Sequence, residues 1–388
     1  MKNEFRKAAV ALAIGSAIWV PVHAANSAQL YGLIDLGVEH LTFDHASATR
    51  LGSGVESVSR LGLQGQEDLS GQLSVFYQLE TGFCANGTDS GSGIYTGASQ
   101  GGEKTATGYC SGGAFMGRRS VVGLRGPLGT LTLGKQSTPF FGTALAADPF
   151  GTGLNGSLNN VDRGASIYTR TSQTVNVASP VWSGVQVTAA YFFGAQPGSM
   201  ANGAGGNVGI EYKAGALQLG ASYLTQNFTG NSSTGSLGLD ATGRTLTAGS
   251  SGYFKNKMWN AYAKYDFDVA SVVGYYADEK YGDGAAITGS APELRVWMVG
   301  TKIPVGAGTI LGSVVGRDDP NLAGSSVRQY GVGYQYALSK QTDLYASYAH
   351  IANGANVDQY VGDSTAGGQG TIGGAASSGV AMGMRHQF

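Results

Sequence analysis

The sequence has little charge and few histidines, and each shortage excludes a class of protein. Only 13% of its 388 residues are charged, about half the share that is usual in soluble domains. Its five histidines lie in no nucleophile motif, so the chain offers no catalytic constellation and is not expected to be an enzyme. A formal net charge of -1 provides no basic surface for nucleic acid.

Long apolar runs are also missing beyond the N-terminus. After residue 24, no segment approaches the ~20 apolar residues that a membrane helix needs. The mean hydropathy is -0.05 although 42% of the residues are hydrophobic. The apolar residues must therefore be interleaved with polar ones, which is typical of strands with one apolar face.

The first residues form a segment of their own. Three basic residues among the first seven precede the apolar run Ala8–Val20, and small residues lead to Ala24. This order predicts a secretory signal peptide over residues 1–24, and leaves residues 25–388 as the exported domain. Export favours a disulfide between the only two cysteines, Cys84 and Cys110, across a loop rich in Gly, Ser and Thr. A metal site is disfavoured because no histidine lies near them.

Short alternating segments fill the rest of the chain, and they predict sixteen strands with one apolar and one polar face. Every second connection is short, and the others are long and rich in Gly, Ser and Asn. The predicted strands cover residues 30–41, 57–67, 73–80, 115–125, 130–135, 170–180, 185–193, 207–213, 217–226, 258–267, 270–277, 293–303, 309–317, 327–338, 342–351 and 379–388.

The alternation of short and long connections indicates a closed barrel with two different rims. Strands of about ten residues, tilted by about 45°, match the apolar band of an outer membrane. A closed sheet satisfies its backbone hydrogen bonds in lipid, and sixteen strands leave a water-filled lumen. The predicted fold class is therefore all-β: a 16-stranded antiparallel transmembrane β-barrel.

The chain ends on a strand, at Phe388, which shares its parity with Val380, Met382 and Met384. We expect this strand to pair with the first strand and close the barrel, with the Phe388 ring at the periplasmic edge of the membrane. Aromatic residues near strand ends predict interfacial girdles, although ordinary enrichment in β structure is the alternative. The candidates are Tyr31, Trp182, Trp259, Tyr265, Tyr330, Tyr345 and Phe388.

Several motifs in fixed order resemble the general porins of the betaproteobacterial type. They span the mature chain and include Leu30–Asp35, Ser59–Gly65, Asp148–Gly151, Ala337–Lys340 and Arg385–Phe388. The resemblance implies a homotrimer in the outer membrane, with an inward-folded third loop that narrows each pore. It also implies that the terminal phenylalanine is the signal read by the barrel assembly machinery.

The candidate third loop is the segment 136–166, which lacks clear alternation. It carries Asp148, Asp162 and Arg163, and a loop inside the lumen would set its carboxylates against bases on the wall. The match of Gly151–Gly156 to a dinucleotide fingerprint carries no weight, because no strand precedes it and no helix follows. Its glycines are expected to let the loop bend.

Basic wall candidates follow from parity and from the resemblance. Strand alternation points Arg60 and Arg170 inward, and the resemblance assigns a pore arginine to Arg60, Arg118 and Arg170. The family commonly has Arg at position 135 and Gln at position 119, where this chain has Lys135 and Arg119. Because Lys135 shares the parity of Leu131 and Leu133, it is expected nearer the rim.

The predicted function is passive diffusion of small hydrophilic solutes and ions across the outer membrane, without a cofactor. Three arginines against one or two aspartates favour anions. The alternative is a substrate-specific channel, which would call for an aromatic track along the lumen. Most of the tyrosines take the lipid-facing parity instead.

Overall fold

The computed structural model describes residues 27–86, 115–229, 232–233, 239–242, 244–247, 252–364, 368–369 and 372–388. The predicted signal peptide and Cys110 lie outside these residues. Within them no cysteine is free, and Cys84 lies just beyond the end of a strand. Its pairing with Cys110 remains a prediction.

Seventeen strand segments form one antiparallel sheet. They are β1 (Ser27–Phe43), β2 (Ala46–Ser53), β3 (Arg60–Ser70), β4 (Leu73–Gly82), β5 (Arg119–Gly126), β6 (Gly129–Ser137), β7 (Arg170–Ala178), β8 (Val185–Phe192), β9 (Gly205–Ala214), β10 (Leu217–Thr229), β13 (Tyr253–Asp266), β14 (Ser271–Asp283), β16 (Glu293–Val305), β17 (Gly308–Asp318), β18 (Val327–Ala337), β19 (Thr342–Asn353) and β22 (Ser377–Gln387). Outside the barrel wall lie β11 (Ser232–Ser233), β12 (Thr245–Thr247), β15 (Ala286–Thr288), β20 (Gln359–Tyr360) and β21 (Gly368–Gln369).

The sheet is closed, as the sequence predicts. Each strand pairs with its neighbour in the chain, and β22 pairs with β1 from Leu33 opposite Gln387 to Thr42 opposite Ser378. The segments β2 and β3 both pair with β1 and together occupy one position in the wall. The seventeen segments therefore make sixteen strands, and the predicted barrel is confirmed.

The second strand differs from the prediction, which placed it at residues 57–67. In the structure β1 continues to Phe43, turns at Asp44 and His45, and returns as β2. Both turn residues have positive φ, 47° and 62°, as a two-residue hairpin turn requires. The returning strand is polar and lacks the alternation by which a strand is recognised. Residues 54–59 leave the wall before β3 resumes it.

The outer face carries the apolar band. Side chains such as Ile34, Val122, Val299 and Met382 are exposed there, whereas their strand neighbours point inward. Trp182, Trp259, Tyr265, Tyr330 and Phe388 are also exposed, in agreement with their prediction as girdle residues.

Two of the predicted girdle aromatics point inward instead. Tyr345 is 3% exposed, and its hydroxyl donates to the Asp35 carboxylate at 2.5 Å. The Tyr31 hydroxyl donates to Glu80 Oε2 at 3.0 Å. Both tyrosines share their strand face with buried polar residues, and position near a strand end does not reveal which face a ring takes.

The C-terminus is tied into the barrel seam. The Phe388 amide donates to Gly32 O at 3.0 Å, and the Gly32 amide donates to Phe388 O at 2.9 Å. A Cβ atom on Gly32 would lie 2.3 Å from the Phe388 ring, so only glycine leaves room for that ring. The sequence prediction that the last strand closes onto the first is therefore confirmed.

Among the residues that the structure describes, helical structure occurs in the connection between β6 and β7. It comprises α1 (Pro139–Ala147), a 3-10 turn (Leu158–Asn160) and α2 (Arg163–Ile167). Among the described residues, no helix has the length and apolar character needed to cross a membrane. The main buried cluster lies where this connection meets the wall, and it contains Phe140, Leu158, Val161, Met258 and Met298.

Candidate functional site

The connection between β6 and β7 packs against inward-facing side chains of the wall. Thr138 caps α1 by accepting a hydrogen bond from the Phe141 amide at 3.0 Å. The first turn of α1 is then fixed to the wall at Phe140. Its amide donates to Asn207 Oδ1 at 2.7 Å, and its carbonyl accepts from Asn260 Nδ2 at 3.0 Å. Both asparagines lie on inward faces, of β9 and β13.

The far end of the loop reaches the opposite part of the wall. Gly156 O accepts hydrogen bonds from Gln329 Nε2 at 3.0 Å and from Ser313 Oγ at 3.2 Å. Arg317 Nη1 donates to Val161 O at 3.3 Å. These partners belong to β17 and β18, so the loop spans the lumen rather than covering its mouth.

Glycines on the inner wall let the loop approach closely. A Cβ atom on Gly300 would lie 2.4 Å from Pro149 Cγ, and one on Gly331 would lie 2.7 Å from Gly156 Cα. Both distances are too short for a real side chain. These two wall positions therefore need glycine because the loop packs directly on them.

The segment 54–59 between β2 and β3 also lies inside and meets the loop. Leu154 N donates to Val55 O at 2.9 Å. The Glu56 carboxylate pairs with Arg385 at 3.0 Å, and the Glu56 amide donates to Asp35 Oδ2 at 2.9 Å. The sequence does not single out Glu56, because its segment lacks the alternation of a strand. Its partner Arg385 can be recognised, because it lies on the polar face of the last predicted strand.

Asp148 does not face the lumen as a free carboxylate. It is 3% exposed, and its two oxygens accept hydrogen bonds from loop donors. The Phe150 and Thr152 amides lie at 2.9 Å, the Leu158 amide at 3.0 Å and Ser157 Oγ at 3.3 Å. Burial raises the pKa of Asp148, and the backbone donors oppose that rise. Because the Asp148 side chain is buried, it does not line a constriction. Its hydrogen bonds instead hold the loop in shape.

Asp162 and Arg163 are also enclosed. Asp162 is fully buried; its carboxylate caps α2 by accepting from the Ala165 amide at 2.8 Å, and it accepts from the Tyr275 hydroxyl at 2.5 Å. Arg163 is 2% exposed and lies among charges that include Glu279. Asp162 and Arg163, which were predicted to face the pore, lie on the side of the loop that packs on the wall. There they attach the loop to β14.

The basic residues on the other wall match the sequence expectation better. Arg60 lies on the inward face of β3, opposite in parity to the exposed Leu61 and Leu63. It is half-buried, and no described residue forms a hydrogen bond or ion pair with its guanidinium. The positive charges of Arg118 and Arg385 repel the Arg60 guanidinium, and the negative charge of Glu80 attracts it.

Arg118 lies beside Arg60 but has a partner. Its Nε donates to Glu80 Oε1 at 2.8 Å. Glu80 also accepts from the Tyr31 hydroxyl, which in turn accepts from Gln78 Nε2 at 2.8 Å. The wall formed by β3, β4 and the start of β5 therefore presents one arginine that makes no ion pair with a described residue and one held by a carboxylate.

For Arg170 and Lys135 a β-bulge changes the alternation. Gly134 pairs with Thr174, but Gln136 pairs with Thr171, so β7 gains a residue between them. Gln173 in that bulge has a φ of 53°. Arg170 therefore loses the parity of Thr174 on which its inward orientation was predicted. Lys135 pairs with Ser120, on the face of the exposed Val122, so its register agrees with the expected parity.

Two lumenal lysines escaped the sequence prediction. Lys264 and Lys302 lie on the inward faces of β13 and β16 and line a cavity of about 280 Å³ under the end of α1. Neither forms a hydrogen bond or an ion pair with a described residue. The inward face of β16 also carries the buried Leu294, Val296 and Met298, so the alternation of polar and apolar residues does not single out Lys302. No group of metal-ligating side chains occurs in the described part of the chain.

Comparison with known proteins agrees with this architecture. A family model described as Gram-negative porin matches residues 8–356. An outer membrane porin protein of Bordetella pertussis is 28% identical, over 99% of this chain and 100% of the relative. Outer membrane porin protein 32 of Delftia acidovorans is 26% identical, over the same shares of both chains.

Solved structures share the fold. The anion-selective porin from Comamonas acidovorans superimposes with a TM-score of 0.73 and 22% identity, over 94% of this chain and all of that chain. OmpT of Vibrio cholerae, in its trimer form, gives 0.63 and 17% over the same shares. With a family match over most of its length and a closed sixteen-stranded barrel, this chain belongs to the Gram-negative porin family and is an outer-membrane channel protein rather than an enzyme.

Proposed function

We propose that the chain forms a homotrimer of water-filled channels through which small hydrophilic solutes and ions diffuse, with a preference for anions. The observation that carries the preference is the Arg60 guanidinium. It stands half-buried on the inner wall, next to Arg118, and no described residue neutralises it by direct contact. A fixed charge between low-dielectric walls concentrates counter-ions, which here are anions.

The loop acids do little to offset this charge. The oxygens of Asp148 and Asp162 are buried and receive hydrogen bonds from the loop and from Tyr275. Lys264 and Lys302 add positive charge on the inner face of the barrel. The anion selectivity stated for the Comamonas acidovorans porin, which shares this fold, supports the same preference.

Two observations support the homotrimer. The Vibrio cholerae porin with this fold exists in a trimer form. In this chain, the outer faces of the paired strands β1 and β22 expose Val38, Val380 and Met382 side by side. Such a face suits contact with lipid or with a second copy.

The same proposal assigns roles to three further parts of the chain. Residues 1–24 direct export, a Cys84–Cys110 disulfide pins the connection between β4 and β5, and the barrel assembly machinery reads Phe388. The exposed Phe388 ring at the seam supports the last of these.

Planar bilayer recordings test the proposal. A general trimeric porin gives large ohmic steps that close in threes, and a salt gradient gives a reversal potential of anion-selective sign. Small currents blocked by a single solute at about micromolar concentration would instead identify a substrate-specific channel. A reversal potential of cation-selective sign would overturn the anion preference.

A further inference from the structure

A cavity beside the loop between β6 and β7 is lined by two lysines that form no ion pair with a described residue. The cavity has a volume of about 280 Å³ and lies between the end of α1 and the inner faces of β10, β13, β14 and β16. Lys264 and Lys302 stand close to the short turns that follow β13 and β16. Short turns form the periplasmic rim of an outer-membrane barrel. The cavity therefore lies on the periplasmic side of the loop.

Each lysine stands beside a neutral hydrogen-bond donor on the neighbouring strand. Strand register sets Lys264 opposite Gln218 of β10, and Lys302 opposite Ser271 of β14. The Gln218 amide and the Ser271 hydroxyl also line the cavity, and neither side chain forms a hydrogen bond with a described residue. The wall thus presents two ammonium groups, an amide and a hydroxyl to the same space.

The two lysines are close enough to act on one ligand. Only β14 separates β13 from β16, and neighbouring strands lie about 4.8 Å apart, so the two lysines are about 10 Å apart across the sheet. Lys302 lies two residues nearer the periplasmic rim than the row that contains Lys264. The positive charge of Lys264 repels Lys302. An anion between the two ammonium groups would relieve that repulsion.

The carboxylates near the two lysines are already engaged. Asp148 lines the cavity, but its oxygens accept hydrogen bonds from three amides and one hydroxyl of the loop. The charge of Glu56 also reaches Lys302, but the Glu56 carboxylate pairs with Arg385 at 3.0 Å. Both acids therefore have donors other than the lysines.

Much of the remaining lining is apolar. Leu145 and Ala146 at the end of α1, Pro149 beyond it and Val273 on β14 contribute this part of the surface. Apolar walls lower the local dielectric, so the charges of the lysines are screened less there than in open water. A charged ligand in the cavity would therefore feel both ammonium groups strongly.

We propose that this cavity is a binding site for a small, doubly charged oxyanion such as inorganic phosphate. Its several oxygens match four donors around one cavity, which a halide does not, and lysine is a usual ligand of phosphate. The site deepens the proposed anion channel and rests on it only for access through the lumen. Its lysines lie on β13 and β16, whereas the ion preference was assigned to Arg60 on β3.

The test is isothermal titration calorimetry of the folded protein in detergent with inorganic phosphate, at constant ionic strength. The pH is held at about 8, where phosphate has lost its second proton. Wild type is expected to bind one phosphate per barrel, and nitrate at the same concentration should give no saturable signal. K264Q/K302Q should weaken the binding by about tenfold for each lysine removed, because each loses one charge-assisted hydrogen bond.

Three matched variants locate the site. K264R/K302R keeps both charges and should bind phosphate nearly as wild type does. K340Q removes a lysine from the turn between β18 and β19 and should leave the affinity unchanged. R60Q should also retain phosphate binding, even where its reversal potential changes.

Three results would overturn the proposal: no saturable phosphate binding by wild type, equal binding of nitrate, or unchanged affinity in K264Q/K302Q. Loss of binding in R60Q alone would assign the phosphate to the Arg60 wall and would also overturn it. If the double variant does not fold, the single variants K264Q and K302Q decide, each with about tenfold weaker binding expected. A barrel that binds phosphate at this site but is cation-selective would overturn the anion preference and leave the site standing.

Discussion

Removal of the Asp148 carboxylate should release the internal loop without unfolding the barrel. The carboxylate accepts hydrogen bonds from the Phe150, Thr152 and Leu158 amides, and the D148A variant leaves all three buried amides without an acceptor. Each buried donor that loses its partner costs about 1–3 kcal/mol, so the three together cost roughly 3–9 kcal/mol. At about 4 kcal/mol the ratio of seated to displaced loop falls roughly a thousandfold.

The barrel ladder does not involve Asp148, so the effect should be confined to the lumen. Single-channel recordings of D148A should show larger and noisier conductance than wild type. Limited proteolysis should cut within residues 138–168, while the heat-modifiable mobility of the barrel stays unchanged. D148N keeps one acceptor oxygen and should lie between the two. D68A, at an exposed position near the end of β3, should behave as wild type. Quiet steps of wild-type size in D148A would refute the reasoning.

Three other perturbations test separate parts of the structure. G331V should alter the conductance and the protection of the loop from proteolysis, because a side chain there meets Gly156 of the loop. Unchanged recordings would contradict the close packing. Burial raises the pKa of Glu56 to about 8 despite the neighbouring Arg385, so the carboxyl becomes negatively charged as the pH rises through that value. The anion preference of the channel should therefore fall between about pH 6 and pH 9. In E56Q the anion preference should not change over this pH range. G32V should lower the surface level of the folded barrel, because the added methyl groups displace the Phe388 ring. Deletion of Phe388 should have the same effect. Normal surface levels in both variants would contradict a role of the Gly32–Phe388 contact in closing the barrel.

The barrel itself was predictable because alternation and connection length are local properties of the sequence. The closure of the last strand on the first followed from the terminal strand and the even number of strands, and the inward face of Arg60 followed from parity. The second strand was misplaced because its first half is polar and the segment 54–59 interrupts it. A local pattern cannot show that this segment turns into the lumen to meet the loop.

The loop chemistry was less predictable, for a physical reason. Sequence alone places Asp148 and Asp162 in the loop, but it does not say which side of the loop packs on the wall. The structure turns both carboxylates toward buried donors, so they stabilise the loop instead of lining the pore. The parity argument for Arg170 fails because one bulge, at Gln173, reverses the parity of the residues before it.

The most direct test of the account is the reversal potential of the reconstituted channel in a KCl gradient, measured for wild type and R60Q. Arg60 forms no hydrogen bond or ion pair with a described residue, so wild type should give an anion-selective sign and R60Q a clearly smaller chloride preference. K340Q at the rim should match wild type. A cation-selective wild type, or an R60Q channel with an unchanged reversal potential, would contradict the account.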